Sequence, residues 1–170
     1  AGLTVSGPVE LAPEAPTPGE LIYRHTSPFS LDELTARLME FSNNFMANQL
    51  LIAAGARQYG APGNLTKGAR LLESYVRDVL GVDDAHLVEG SGISRENRIS
   101  ARALMTALVR FEPHRHLMTR EDGMVFKTGT LKGIRTRAGY IETAEAGICR
   151  FVLFLNTPGK RPEPVLRRVR

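Results

Sequence analysis

At Gly123 the apolar pattern of this chain changes period, and that change limits the folds open to it. Upstream, apolar residues recur three and four apart, the spacing that lays one stripe along a helix. Downstream, Met124 to Leu131, Ala138 to Thr143 and Ile148 to Leu155 are short blocks with the composition of strands. The turn Ala144 to Gly147 between the last two is too short for anything but antiparallel pairing. Helices followed by a small antiparallel sheet define an α+β arrangement.

The upstream half divides at its capping residues. Ser30 with Glu33 has the spacing of a capping box, and Leu31, Leu34, Leu38 and Phe41 follow on one helical face. Ser42-Asn43-Asn44 interrupts that stripe. It resumes with Phe45, Leu50 and Leu51 and ends at Gly60 and the turn Pro62-Gly63-Asn64. Thr66 is placed to cap a third helix with the stripe Leu71, Leu72, Tyr75, Val76, Val79 and Leu80, closed by Gly81. Ser100 is placed to cap a fourth from Ala101 to Phe111, stopped by Pro113. Between them Glu89-Gly90-Ser91-Gly92-Ile93-Ser94-Arg95 is too rich in glycine for a regular element and reads as a shaped loop. Residues 1–29 carry Pro8, Pro13, Pro16, Pro18 and Pro28, half of the ten prolines, and read as an extended segment without a core of its own. The expected organisation is this segment at 1–29, a helical part at 30–121, and antiparallel strands with a C-terminal helix at 122–170. The last two together make one domain.

Charge and cysteine content remove some function classes. The 22 basic and 18 acidic residues leave a mild excess of +4, with Arg161, Arg167, Arg168 and Arg170 near the C-terminus. That suits an anionic polymer without demanding one. No Gly-aromatic or stacking motif accompanies the arginines, so a nucleic-acid-binding domain is the weakest alternative. Cys149 is alone, which excludes an intrachain disulfide and a cysteine metal cluster. His86, His114 and His116 could suggest a metal site, but without a convincing carboxylate partner the His-x-His reads as a surface pair. No apolar run approaches the roughly 20 residues of a membrane span, and Ala1-Gly2-Leu3 opens no export signal, so if the protein is exported its signal is on residues outside this sequence.

Two short motifs carry chemistry. Ser42 and Asn44, two residues apart at a helix break, can present a hydroxyl and an amide to one cleft. The hydroxyl can relay a proton; the amide can donate to a substrate carbonyl. Serine and asparagine are also ordinary helix-cap residues. Lys127-Thr128-Gly129 on a strand offers a cation, a hydroxyl and a position without a side chain, where an extended peptide can lie alongside and place its terminal carboxylate. A solvated strand end is the plainer reading of that triplet.

The plainer readings weaken when the neighbours are read together. His25-Thr26-Ser27-Pro28, Ser42-Asn43-Asn44-Phe45-Met46-Ala47-Asn48-Gln49-Leu50-Leu51, the segment Glu89 to Asn97, and Lys127-Thr128-Gly129-Thr130-Leu131-Lys132-Gly133 occur in that order, followed by Ala138-Gly139-Tyr140-Ile141. From about Ala1 to Thr157 this succession resembles the C-terminal part of the class C, low-molecular-mass penicillin-binding proteins, the D-alanyl-D-alanine carboxypeptidase/endopeptidase family. The resemblance implies part of the penicillin-binding transpeptidase fold, with the site between a helical subdomain and the sheet. It implies an extracytoplasmic, bacterial, periplasmic setting, peptidoglycan stem peptides and β-lactams as ligands, and no cofactor. By matching residue, Ser42 becomes the proton-relay serine and Asn44 the substrate-contacting amide. Lys127 becomes the charge stabiliser, Thr128 the carboxylate binder, and the Thr130 N–H half of an oxyanion hole. Gly90, Ser91 and Gly92 form a supporting loop, in which Ser91 reads equally well as a satisfied loop hydroxyl.

The family's nucleophile is the serine of S-x-x-K, and here the chain departs from the pattern. No serine of the sequence has lysine three residues later: Ser42 meets Phe45, Ser74 meets Arg77, Ser91 meets Ser94. The resemblance therefore implies that the nucleophile, with the first strands of the sheet, lies on an upstream segment or companion chain, and that this chain alone is inactive. Apolar surface left by such a gap calls for that companion, a second copy, or aggregation. The competing reading is a binding module that holds peptidoglycan peptides without cutting them.

Overall fold

The computed structural model describes residues 21–168, together with 2, 4 and 6–8. The stretch Leu3 to Val9 lies partly, and Pro13, Pro16, Pro18, Val169 and Arg170 wholly, outside the described residues. Residues 21–30 run exposed and without regular structure to the first helix.

Helix α1 spans Leu31–Phe41, and its capping box is formed: the Glu33 N–H donates to Ser30 Oγ at 3.2 Å and the Ser30 N–H to the Glu33 carboxylate at 2.7 Å. α2 spans Asn44–Tyr59 and α3 Leu65–Ser74, with a wider π-helical turn at Tyr75–Val79. Asn64, not Thr66, caps α3, accepting from the Lys67 N–H at 2.8 Å. Asparagine at the end of the Pro-Gly-Asn turn already has the extended backbone a cap requires, so the helix starts one residue before Thr66. α4 spans Ala101–Phe111 under its Ser100 cap, and a 3-10 turn at Glu112–Leu117 leads to the sheet. α2 and α3 cross closely because both meet at glycine. A Cβ on Gly55 would stand 2.7 Å from the Lys67 carbonyl carbon, and one on Gly68 2.7 Å from the Leu51 side chain.

The sheet is an antiparallel meander in the order β1-β2-β3-β4: β1 Thr119–Glu121, β2 Met124–Leu131, β3 Ile134–Thr143 and β4 Gly147–Leu155. β1 and β2 join through Asp122-Gly123, both with positive φ, the two-residue turn that matches strand twist. A short helix α5, Glu163–Leu166, follows β4. One face of the sheet puts Val125, Ala138 and Tyr140 against Leu108 of α4, with Leu104, Met105 and Phe111 around them. The other puts Met124, Phe126 and Ile141 against Phe151. At this first cluster the Tyr140 hydroxyl donates to the Leu108 carbonyl at 2.6 Å, with no part of the ring exposed. Burial pushes that phenol up to about 12, so it stays a donor at any ordinary pH.

The helical layer is thinly covered. α1 contributes no buried residue, and Phe41 and Phe45 are 67% and 71% exposed. β4 closes the sheet with no strand on its far side among the described residues.

Tyr140→Phe removes the hydroxyl and leaves the sealed Leu108 carbonyl short of a donor. The expected loss is about 1–3 kcal/mol, read as a lower urea midpoint at unchanged m-value.

Candidate active site

The tripeptide at the break between α1 and α2 divides its work. Ser42 ends α1 in the left-handed region, φ 52 and ψ 46, with its N–H on the Leu38 carbonyl. A residue with a Cβ is held there at a cost of roughly 1–2 kcal/mol. Asn43 caps α2, its side chain accepting from the Met46 N–H at 3.0 Å. The capping role thus falls to Asn43, leaving the Ser42 hydroxyl for something else. It accepts a hydrogen bond from the Lys127 ammonium on β2. Asn44 begins α2, exposed, and its amide makes no hydrogen bond among the described residues.

Lys127 is placed by register. Alternation along β2 sends Val125, Lys127 and Gly129 to the α4 side and Phe126, Thr128 and Thr130 to the other. The ammonium donates also to the Thr128 carbonyl at 3.0 Å, and burial pushes its pKa below the ordinary lysine value. Because β1 pairs only Met124 to Phe126, the outer edge of β2 is open from Lys127 to Leu131 among the described residues. Thr128 and Thr130 are exposed on that stretch. Gly129 has a reason inside the chain: a Cβ there would collide with the hydroxyl of Thr136, its partner on β3. Behind this wall lies an apolar cavity of about 490 Å³ between α1, α4 and the sheet, with Met39, Leu104, Phe111 and Met118 in its lining and Lys127 and Thr128 at its rim.

The glycine-rich loop bridges the two layers. The Gly90 N–H donates to the Asn48 side chain on α2 at 2.8 Å, and the Arg95 guanidinium donates to the Lys132 carbonyl in the β2–β3 turn at 2.8 Å. A Cβ on Gly90 would stand 2.9 Å from the Ala47 carbonyl oxygen, so only glycine lets the loop approach α2 this closely. Glu89 organises the interior. Burial raises its pKa, but donors from the Ser91 hydroxyl and N–H, the Ser94 N–H and the Asn97 amide together outweigh burial and hold the carboxyl down at about 2. The Ser91 hydroxyl is committed to that carboxylate, and Gly92 turns the chain at φ 78. Sequence reasoning singled out neither Glu89 nor Asn48 as positioning residues. The signal for both is spacing: an acid two residues before a serine in a glycine-rich loop, and an asparagine four residues along α2 from Asn44, one turn away.

The D-Ala-D-Ala carboxypeptidase 3 (S13) family matches residues 1–120. The chain belongs to this family. It is 27% identical to the D-alanyl-D-alanine carboxypeptidase DacB of Haemophilus influenzae over 91% of its own length, and 29% identical to a D-alanyl-D-alanine carboxypeptidase of Actinomadura over 95%. It spans 37% and 35% of those two proteins. Its fold is that of penicillin-binding protein 4 of Haemophilus influenzae, solved in complex with a β-lactam: TM-score 0.73 at 23% identity, over 92% of this chain and 43% of that one. The α+β arrangement of helices and antiparallel strands is the family's own. Among the described residues no helix is long and apolar enough to cross a membrane.

The Glu89 carboxyl gives the loop a pH dependence. Its pKa is depressed from 4.5 to about 2, so its contribution to stability is present above 4.5 and is lost as pH falls from there towards 2. Urea midpoints measured from pH 6 down to pH 2 are expected to fall across that window. In Glu89→Gln the part of the fall due to this group should be missing, and the midpoint at pH 6 should already be lowered.

Proposed function

We propose that this chain supplies the S-x-N and K-T-G walls of a D-alanyl-D-alanine carboxypeptidase/endopeptidase that acts on peptidoglycan stem peptides outside the bacterial cytoplasm and is acylated by penicillins. The observation that carries the reading is the Lys127 to Ser42 hydrogen bond. It joins, across 85 positions of sequence, the two motifs that must reach one substrate. Ser42 then relays a proton to the leaving amine, and Lys127, positively charged and partly desolvated, stabilises negative charge in the cleft. A stem peptide lies extended along the open edge of β2, its C-terminal carboxylate on Thr128 and its scissile carbonyl towards the Thr130 N–H. Asn44 holds the peptide from the α2 side, and the loop Gly90 to Gly92 backs it.

The nucleophile is assigned to a serine outside this sequence. Three features support that: no S-x-x-K within the chain, the third of the relatives' length that it spans, and the apolar cavity and uncovered α1 beside Ser42 and Lys127. The division into an extended 1–29, a helical 30–121 and a sheet-bearing 122–170 belongs to the same proposal. A module that binds peptides without cutting them has the same absence in its favour, and the next experiment separates the two.

Intact mass after incubation with a labelled penicillin is expected to show no adduct on the 170-residue chain and one adduct per molecule on the protein in which it occurs with an S-x-x-K segment. In that protein Ser42→Ala and Lys127→Ala should each slow acylation by roughly 10² to 10⁴-fold. An adduct on the 170-residue chain would move the nucleophile to Ser42 or Ser91, and unchanged rates in both variants would end the site assignment.

A further inference from the structure

The glycine-rich loop is built as one body on a narrow base. At that base His86 and Arg98 exchange two backbone hydrogen bonds, each 2.7 Å. The residues between them are tied inward. The Val88 N–H donates to the Asn97 side chain at 2.8 Å, the Asn97 amide to Glu89 at 2.6 Å, and the Ser91 and Ser94 N–H groups to the same carboxylate. Other bonds tie the loop to the layers around it: the Gly90 N–H to Asn48 on α2, Arg95 to the Lys132 carbonyl, and the His86 ring to α3, its Nδ1 lying 3.0 Å from a Glu73 carboxylate oxygen. A segment with a closed base and dense internal bonding opens as a unit when its outward ties let go. Among these ties the His86 to Glu73 contact is the one whose strength a proton changes near neutral pH.

We propose that residues 86–98 form a strap that moves as one body beside the cleft, and that the His86–Glu73 pair is its pH-sensitive latch, tight when the imidazole is charged and slack when it is neutral. The proposal rests on the reading of Gly90 to Gly92 as the backing of the peptide site. An imidazole changes charge between about pH 5 and 8, whereas carboxylates and guanidiniums keep theirs across that window. Glu73 is the charge that faces the ring. Around the pair stand Arg77, bound to Asp78 at 2.8 Å and near Glu73 and Asp83, then Asp84 before His86 in the chain and Arg98 across the bridge. The ring is therefore the variable partner. The latched state holds the imidazole proton more tightly than the open one, so its advantage is fully present at the acid end and is lost as pH rises. The interior of the loop keeps its form over the same window, because the Glu89 carboxyl is held down at about 2. Both latch side chains are substantially exposed, 58% for His86 and 41% for Glu73, so the pair shifts a population and does not lock it.

The test is amide hydrogen exchange in the protein containing this chain, expressed as protection factors so that the intrinsic pH dependence of exchange cancels, with the Leu104 amide of α4 as internal reference. Protection of the Val88 and Ser94 amides is expected to be about two- to fivefold higher near pH 5 than near pH 8. His86→Gln and Glu73→Gln should each remove that difference. His86→Lys, cationic throughout, should keep the higher protection at both pH values. A ring that served only as packing or as a neutral hydrogen-bonding group would lose protection equally at both in His86→Gln and gain nothing from lysine. Equal protection at the two pH values in the unaltered protein, a difference that survives Glu73→Gln, or a lysine variant no better than glutamine would overturn the latch. Val88 and Ser94 responding to different extents would overturn the one-body strap. Exchange needs no turnover, so failure of penicillin acylation would strike the proposed enzyme while these protection factors still report on the latch.

Discussion

The contact between the Lys127 ammonium and the Ser42 hydroxyl is the joint on which the rest of the site depends. Each partner is held by a different layer. Ser42 reaches the cleft because α1 ends in a left-handed residue that is not glycine, and a glycine there would relax the backbone and abolish the hydroxyl. Lys127 reaches it because β2 is in one register with β3. A slip by one residue would turn Lys127 to the outer face and bring Thr128 in, replacing a cation by a hydroxyl. The buried Met124, Val125 and Phe126 prevent that slip, since they occupy two different cores on the two sides of the strand. Packing three residues away therefore decides the charge in the cleft.

Much of this was legible in the sequence where local chemistry fixes local structure. The Ser30 and Glu33 box, the break at Ser42 to Asn44, the Ser100 cap and the strand Met124 to Leu131 all lie where spacing and capping place them. The misses have physical causes. β1 is three polar residues, Thr119-Arg120-Glu121, all exposed, with no apolar alternation to betray it. Its only signal was Asp122-Gly123, a hairpin turn directly before an apolar strand. β3 begins at Ile134 instead of Ala138 because Arg135 and Arg137 alternate polar against polar. Periodicity that counts apolar residues cannot see a strand whose one face carries guanidiniums. The site was legible as two triplets, and the resemblance placed Ser42 and Lys127 on facing walls of one cleft; the hydrogen bond itself comes from tertiary packing.

The helices tell a complementary story about what local sequence leaves undecided. α1 has a strong cap and a clear stripe, yet none of its residues is fully buried, with Phe41 and the neighbouring Phe45 largely in solvent. α2 and α3 are joined tightly through Gly55 and Gly68, whose missing side chains carry no periodic signal at all. Amphipathicity thus announces a face and says nothing of its partner, while close helix contact is written in residues that a hydrophobic stripe ignores.

One strand, β2, is asked to do different things on three sides. Its inner face carries Lys127 to the helices, its open edge offers backbone to an extended ligand, and its outer face sets Thr128 and Thr130 among arginines. Gly129 sits where these demands meet. The edge reading wants no side chain there so that a ligand can approach, and a Cβ there would also push the Thr136 hydroxyl across the sheet from its place. Substituting alanine at Gly129 therefore disturbs β3 before it touches any ligand, so a loss of binding in that variant would speak first about Thr136.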